Sequence, residues 1–244
     1  MTVIQFVSEC ASTNADLAAR LRAGEALREG DWLVADRQTH GKGRQGREWL
    51  DARGNFMGST AIDLSGDLAR GDGNTVGLSL LAGLAVYETV LSRLQQPSKL
   101  ELKWPNDVLL AGAKLAGILL ERHGTSVIVG IGVNLASAPR LADRKAVSLS
   151  DYGPAPDRDI FAADLAACFA RELAMWRSSG SGQVLTRWEA AAHPRGTPLS
   201  VHGADAAVLS GTFEGLAADG ALMLRLADGE LRVIHAGDVS RKGD

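Results

Sequence analysis

Two stretches constrain the fold more than any others: Lys114-Leu-Ala-Gly-Ile-Leu-Leu-Glu121 and Ser126-Val-Ile-Val-Gly-Ile-Gly-Val-Asn-Leu135. Both are dominated by aliphatic and β-branched residues over strand length, and both read as strands. Gly117, Gly130 and Gly132 fall in their interiors. Glycine weakens a strand and adds nothing to its packing. Its presence here marks the close approach of a ligand or of another backbone, with a bulge or tight sheet packing as the plainer alternative.

Around this pair the hydrophobic pattern predicts further strands at Val3–Val7, Trp32–Arg37, Phe56–Leu64 and Leu100–Trp104. Helical spacing begins at Thr13, with Leu17, Ala18 and Leu21 on one face, and returns at Thr75–Gln95, Asp159–Trp176 and Gln183–Ala192. The Thr75–Gln95 stretch is rich in Ala, Leu and Gly and predicts a central, buried helix. Asp67–Asn74 reads as a polar, glycine-rich loop. The best boundary is His193-Pro-Arg-Gly-Thr-Pro198, dividing the chain into 1–192 and 193–244. Beyond it, short strands at Leu199–His202, Ala206–Glu214, Ala221–Leu226 and Glu230–Ile234 read as a small all-β barrel.

Ahead of the central strands, Asp36–Trp49 interleaves Gly41, Gly43 and Gly46 with Lys42, Arg44 and Arg47. Glycines let the backbone come close to a ligand, and the cations between them point to an anion such as phosphate or carboxylate. No Lys-Ser or Lys-Thr closes the loop as in a nucleotide-binding P-loop. No apolar helix follows it as a dinucleotide fingerprint requires. An ordinary solvated loop remains the bland alternative. Thr13 with Asp16 three residues on fits a helix-capping box, the favoured reading of Ser12-Thr13-Asn14 from the residues alone. One cap does not need three polar residues, so the spare groups are candidates for facing a polar ligand.

The 244 residues allow one large domain, or one plus a small one. A formal net charge of −3 argues against a sequence-independent nucleic-acid binder. Cys10 and Cys168 are too far apart to suggest a disulfide framework or a metal knuckle, and a reducing cytoplasm is the default compartment. The N-terminal residues lack the pattern of a signal peptide, and no apolar run reaches membrane-spanning length. Serine-nucleophile and zinc-protease motifs are absent, and the five histidines have no ligand spacing. What remains is a set of cations near strand ends: Lys42, Arg44, Arg47, Lys103 and Lys114. Fixed cations without a nucleophile fit a reaction in which developing negative charge is the main problem, such as phosphoryl or nucleotidyl transfer.

Taken in order, Ser12-Thr13-Asn14, Gln38 with Gly41-Lys-Gly-Arg-Gln-Gly-Arg47 and Trp49, Lys103-Trp-Pro-Asn-Asp107, Lys114–Glu121 and Gly130-Ile-Gly-Val-Asn134 resemble the landmarks of biotin protein ligases, the biotin–[acetyl-CoA-carboxylase] ligases. The resemblance covers nearly the whole chain. It implies an α+β fold: a mixed sheet backed by helices, of the class II synthetase-like kind, with a C-terminal SH3-like β-barrel. It also implies two-step chemistry with biotin and MgATP. Biotinyl-5′-AMP forms first, and a lysine of the biotin carboxyl carrier protein then takes the biotinyl group.

Carried over residue by residue, Ser12, Thr13, Asn14 and Gln38 are expected at biotin, especially its ureido group. Lys42, Gly43 and Arg44 lie in the loop that covers biotin and the adenylate, Gly117 in the floor of the pocket. Lys103 bridges the biotin carboxyl and the α-phosphate, and Arg44 and Asp107 complete the expected catalytic set. Asp107 is cast as base or orienter for the acceptor lysine. Arg44, Arg47, Trp49, Asn106, Lys114 and Asn134 are the expected nucleotide contacts, and no metal ligand is assigned. Lys42 stands where the family typically has Arg, which keeps the charge and loses the bidentate fork. His40 stands where relatives often have a small residue. Few residues precede the first strand, so the expectation is a cytoplasmic ligase without a DNA-binding extension or repressor activity, monomeric or homodimeric. A lipoate or octanoate ligase of the same architecture and a non-catalytic nucleic-acid-binding protein are the competing readings.

Overall fold

The computed structural model describes residues 2–50, 52–69, 75–141, 145–202 and 208–241. Seven strands, β1 (Ile4–Val7), β2 (Trp32–Ala35), β3 (Phe56–Asp63), β4 (Leu100–Lys103), β5 (Asp107–Leu110), β6 (Ala113–His123) and β7 (Ser126–Val133), form one sheet in the order β1-β2-β3-β7-β6-β5-β4. The β1–β2 pairing is parallel and all the others are antiparallel, so the sheet is mixed. The helices are α1 (Thr13–Arg22), α2 (Ser65–Ala69), α3 (Thr75–Leu91), α4 (Arg158–Ser179) and α5 (Gly182–Ala191).

Paired residues on neighbouring strands share a face, and the two faces differ in chemistry. One face carries Val34, Val129, Ile131 and Ile118, buried in the main core with α3, α4 and α5. Helix α3 is buried on nearly every side, as an all-round apolar helix must be. The other face carries the partners Ser59↔Gly130, Leu119↔Gly130 and Gly117↔Gly132. At its edge α1 seats Leu17 and Ala18 on Leu33 and Ile128. Beyond α1 this face is left open by its small residues.

The C-terminal strands, β8 (Pro198–His202), β9 (Val208–Leu216), β10 (Leu222–Arg225), β11 (Leu231–Ile234) and β12 (Asp238–Arg241), form a second, wholly antiparallel sheet in the order β11-β10-β9-β8-β12. Its buried residues, among them Val201, Phe213, Leu222 and Leu224, belong to the same continuous core as the large sheet. The Trp104 indole N–H donates to the Gly220 carbonyl at 3.1 Å, and Arg241 pairs with Glu101 at 2.5 Å.

Several expectations change. Ser65–Ala69 is a short helix where a loop was expected from Asp67; the rest of that stretch, 70–74, lies outside the described residues, as do 206 and 207 of the expected Ala206–Glu214 strand. Helix α3 ends at Leu91 rather than Gln95. The second sheet has a fifth strand, β12, unannounced because Val239 is its only aliphatic residue. The Trp104–Pro105 peptide is cis.

The β5–β6 hairpin turns on Ala111 at φ 51° and Gly112 at φ 78°. A left-handed alanine costs energy that asparagine largely avoids, and Asn-Gly is the favoured pair for such turns. Ala111→Asn is expected to raise stability by about 0.5–1 kcal/mol, read as a higher urea midpoint at unchanged slope.

Candidate active site

The parallel pairing of β1 and β2 continues past the strand ends. Cys10 N–H donates to Arg37 O at 3.1 Å, Thr39 N–H to Cys10 O at 3.1 Å and His40 N–H to Ala11 O at 2.8 Å. That zipper places the start of α1 beside the start of the glycine loop. The loop then folds back on itself. Gly43 N–H donates to Arg47 O at 2.7 Å and Trp49 N–H to Gly41 O at 2.9 Å, with Gln45 and Gly46 left-handed at the tip.

Between the loop and the glycine-bearing face of the sheet lies a cavity of about 260 Å³. Ser12, Thr13, Asn14, Gln38, Lys42, Gly43, Arg44, Arg47, Trp49, Lys103, Asn106, Asp107, Lys114, Gly117 and Asn134 all line it. Every residue expected to contact biotin or the nucleotide, or to act in catalysis, is therefore brought to one place. Cys10 and His40 are not among its walls. Sequence reasoning missed Ser59 and Glu121 behind the wall, and Glu48, Asp238 and Val239 on it.

The capping reading of Ser12-Thr13-Asn14 is overturned. Ser12 is the N-cap of α1, yet its side chain makes no capping bond. The Thr13 hydroxyl lies 2.6 Å from Ser59 Oγ, and Gln38 Oε1 accepts from the Thr13 N–H at 2.8 Å. Asn14 Oδ1 accepts from Ser59 Oγ at 2.6 Å, and its amide donates to Glu121 at 2.7 Å. These side chains turn along the sheet instead of back onto the helix.

The interior glycines have a geometric reason. A Cβ on Gly130 would lie 2.2 Å from Asn14 Oδ1, and one on Gly132 would lie 2.3 Å from the Trp49 ring. The close approach is thus made by side chains of α1 and of the loop. Trp49 Nε1 and Asn134 Oδ1 are buried without hydrogen-bond partners. The Asn134 amide donates to Val147 O at 3.0 Å, so its oxygen is the group left over beside the cavity.

Charge gathers on the β5–β4 side. Lys114 Nζ pairs with Asp107 at 2.6 Å, and Arg44 donates to Asn106 Oδ1 at 2.9 Å. Burial pulls the Arg44 guanidinium down from its ordinary value, while Asp107 opposes that shift. Arg47 pairs with Asp238 of β12, and Arg44 lies 3.6 Å from the same carboxylate. The second sheet therefore supplies the anion that holds both arginines. Among the described residues no group of three or more His, Cys, Asp or Glu stands together to hold a metal ion.

The Biotin/lipoate A/B protein ligase family matches residues 9–135, and the Biotin protein ligase C terminal domain matches residues 201–242. A biotin–[acetyl-CoA-carboxylase] ligase of Paracoccus denitrificans is 37% identical over 94% of this chain and 98% of its own length. One of Mycobacterium tuberculosis is 36% identical over 97% of this chain and 88% of its own. The biotin protein ligase of Aquifex aeolicus, solved with biotin and ATP, superposes with a TM-score of 0.86 at 26% identity, covering 99% of this chain and all of the other.

Two outcomes are expected. Asp238→Ala removes the carboxylate that Arg44 and Arg47 share, so limited trypsin digestion should cut at the loop several-fold faster. Burial, together with Asp16 and Glu9, pushes the Cys10 thiol up to about 11. A raised thiol holds its proton through neutral pH. Alkylation of Cys10 should be slow at pH 7.5 and rise about tenfold per pH unit towards pH 10; fast labelling at neutral pH would contradict the burial.

Proposed function

The chain belongs to the biotin/lipoate A/B protein ligase family, and on that premise we propose that it is an ATP-dependent biotin–[acetyl-CoA-carboxylase] ligase whose two chemical steps share the one cavity. In the first, a biotin carboxylate oxygen attacks the α-phosphorus of MgATP, the bond to the β-phosphate oxygen breaks, and pyrophosphate leaves. In the second, the neutral amine of a lysine on the biotin carboxyl carrier protein attacks the acyl carbon and AMP leaves. Residues 1–192 hold the chemistry, and 193–244 support it through Asp238.

The observation that carries this reading is the division of the cavity. Uncharged hydrogen-bonding groups, Thr13 and Gln38, sit beside β3 and β7, while Arg44, Lys103 and Lys114 sit towards β6, β5 and β4. At ~4.8 Å per strand, the two ends are on the order of 10–15 Å apart. That suits a ligand with a neutral polar ring at one end and a carboxylate at the other. Ser12, Thr13, Asn14 and Gln38 take the ureido end. Lys42 and Gly43 cover it, and Gly117 leaves room beneath.

Lys103 lies between carboxylate and α-phosphate, where it offsets the charge that spreads over phosphate oxygens as the bond forms. Arg44, Arg47 and Lys114 receive the remaining phosphate charge. Trp49, Asn106 and Asn134 take the nucleoside; the unpaired Asn134 oxygen suits an amino or hydroxyl donor. Asp107, already bonded to Lys114, orients cations rather than acting as a free base. Mg²⁺ arrives on the nucleotide and is held mainly by phosphate and water. The net charge of −3 supports a protein partner over nucleic acid. Among the described residues no helix is long and apolar enough to cross a membrane.

The test is ATP–pyrophosphate exchange with Mg²⁺, run with biotin and with lipoate. Exchange with biotin is expected. A site built to pair a ureido group leaves its polar groups unmatched by an aliphatic chain, so lipoate should be slower by orders of magnitude. Equal exchange with both would remove the biotin assignment. Lys103→Ala should slow the biotin reaction by roughly two to three orders of magnitude; a loss below about threefold would take Lys103 out of the mechanism.

A further inference from the structure

A single file of hydrogen bonds runs from the cavity wall into the sheet, and only one of its ends is charged. Glu121 sits at the far end of β6, and its carboxylate can only accept. The Asn14 amide must therefore turn its NH₂ towards Glu121, at 2.7 Å. That leaves Asn14 Oδ1 facing Ser59 Oγ at 2.6 Å, and Ser59 must donate to it. Ser59 has one hydrogen, so its lone pair is what Thr13 Oγ1 meets, again at 2.6 Å. Among the described residues, the other partner of the Thr13 hydroxyl is Gln38 Oε1 at 3.2 Å, also an acceptor. The shorter contact draws the Thr13 proton onto Ser59, and the Thr13 lone pairs are left for the cavity. Gln38 Oε1 is held by the Thr13 backbone N–H, so the Gln38 NH₂ is left to donate.

We infer that Glu121 and Ser59 are positioning residues that set the hydrogen-bond sense of the Thr13 hydroxyl beside Gln38, and through it the preference for a ligand with adjacent N–H and C=O groups. This rests on the reading of the ligand as biotin. The file is buried: Thr13, Asn14 and Ser59 are each almost fully enclosed. Inside a protein the direction of such a chain is decided by its strongest acceptor, because a wrongly turned member leaves two donors or two acceptors facing each other. Glu121 does not line the cavity. Its influence passes through Asn14, for which Gly130 clears the space.

The experiment measures biotin-dependent ATP–pyrophosphate exchange and thermal melting for the wild type, Glu121→Leu, Glu121→Gln, Ser59→Ala and the Glu121→Leu/Ser59→Ala double variant. Loss of the acceptor in Glu121→Leu should raise the KM for biotin by roughly 10- to 100-fold. Its kcat should stay within about threefold, and its KM for ATP should not move. Glu121→Gln keeps an oxygen for Asn14 and should recover most of the loss. Because both residues lie in one chain, the double variant should be little worse than the worse single one. An unchanged biotin KM in Glu121→Leu, equal losses in the Leu and Gln variants, or a loss confined to kcat and ATP would overturn the assignment. Should Glu121→Leu not fold, Ser59→Ala decides alone: a biotin KM within twofold of wild type refutes the chain. A wild type without biotin-dependent exchange overturns the functional reading itself, a result distinct from exchange that the variants leave untouched.

Discussion

Asn14 and Trp49 lie flat on the central sheet because Gly130 and Gly132 place no Cβ beneath them. That absence shapes the rest of the site. A residue with a side chain at either position would push α1 or the loop outward, and the cavity between them would lose its roof or its wall. The neighbouring strands meet the same demand from the other side. Their opposite face is dense with Val129, Ile131 and Ile118, so the glycines weaken one surface of a sheet whose other surface is fully packed. The sheet tolerates both positions because β7 is paired on both edges, to β3 and to β6.

Two further constraints converge on this floor. The β1–β2 pairing runs on as loop-to-loop hydrogen bonds, so α1 and the glycine loop leave the sheet side by side. From the opposite end, β12 brings Asp238 to Arg44 and Arg47. The C-terminal sheet shares its core with the large one and is tied to it through Trp104 and Glu101, so the position of Asp238 is fixed by packing as firmly as that of the cations it meets. A site assembled from parts so distant in sequence depends on both sheets at once.

That distance explains what was legible beforehand. The glycine loop, Lys103–Asp107 and the two glycine-bearing strands are local patterns whose spacing already carries their chemistry, and all line the cavity. From the neighbouring residues alone, Ser12–Asn14 favours a helix cap, with the spare groups left for a ligand. A cap is a local solution, and nothing within the neighbouring residues shows that Ser59 and Glu121 offer better partners from other strands. Asp238 was invisible for a similar reason: β12 has one aliphatic residue, and an aspartate after a glycine looks like any turn. Helix α2 is too short to leave a periodic signal.

The two arginines carry a cost that the fold offsets from its second sheet. Two guanidinium groups brought near a partly enclosed cavity repel each other and lose water, and burial already lowers the Arg44 value. A carboxylate from β12 relieves both costs. Phosphate oxygens carry more charge and can take both guanidinium groups through paired N–H bonds, so they compete with a single carboxylate on favourable terms. A carboxylate held too tightly would resist the phosphates, and one held too loosely would leave the loop unformed. Asp238 is about one-third exposed, so water weakens its hold, and the pair sits between those limits.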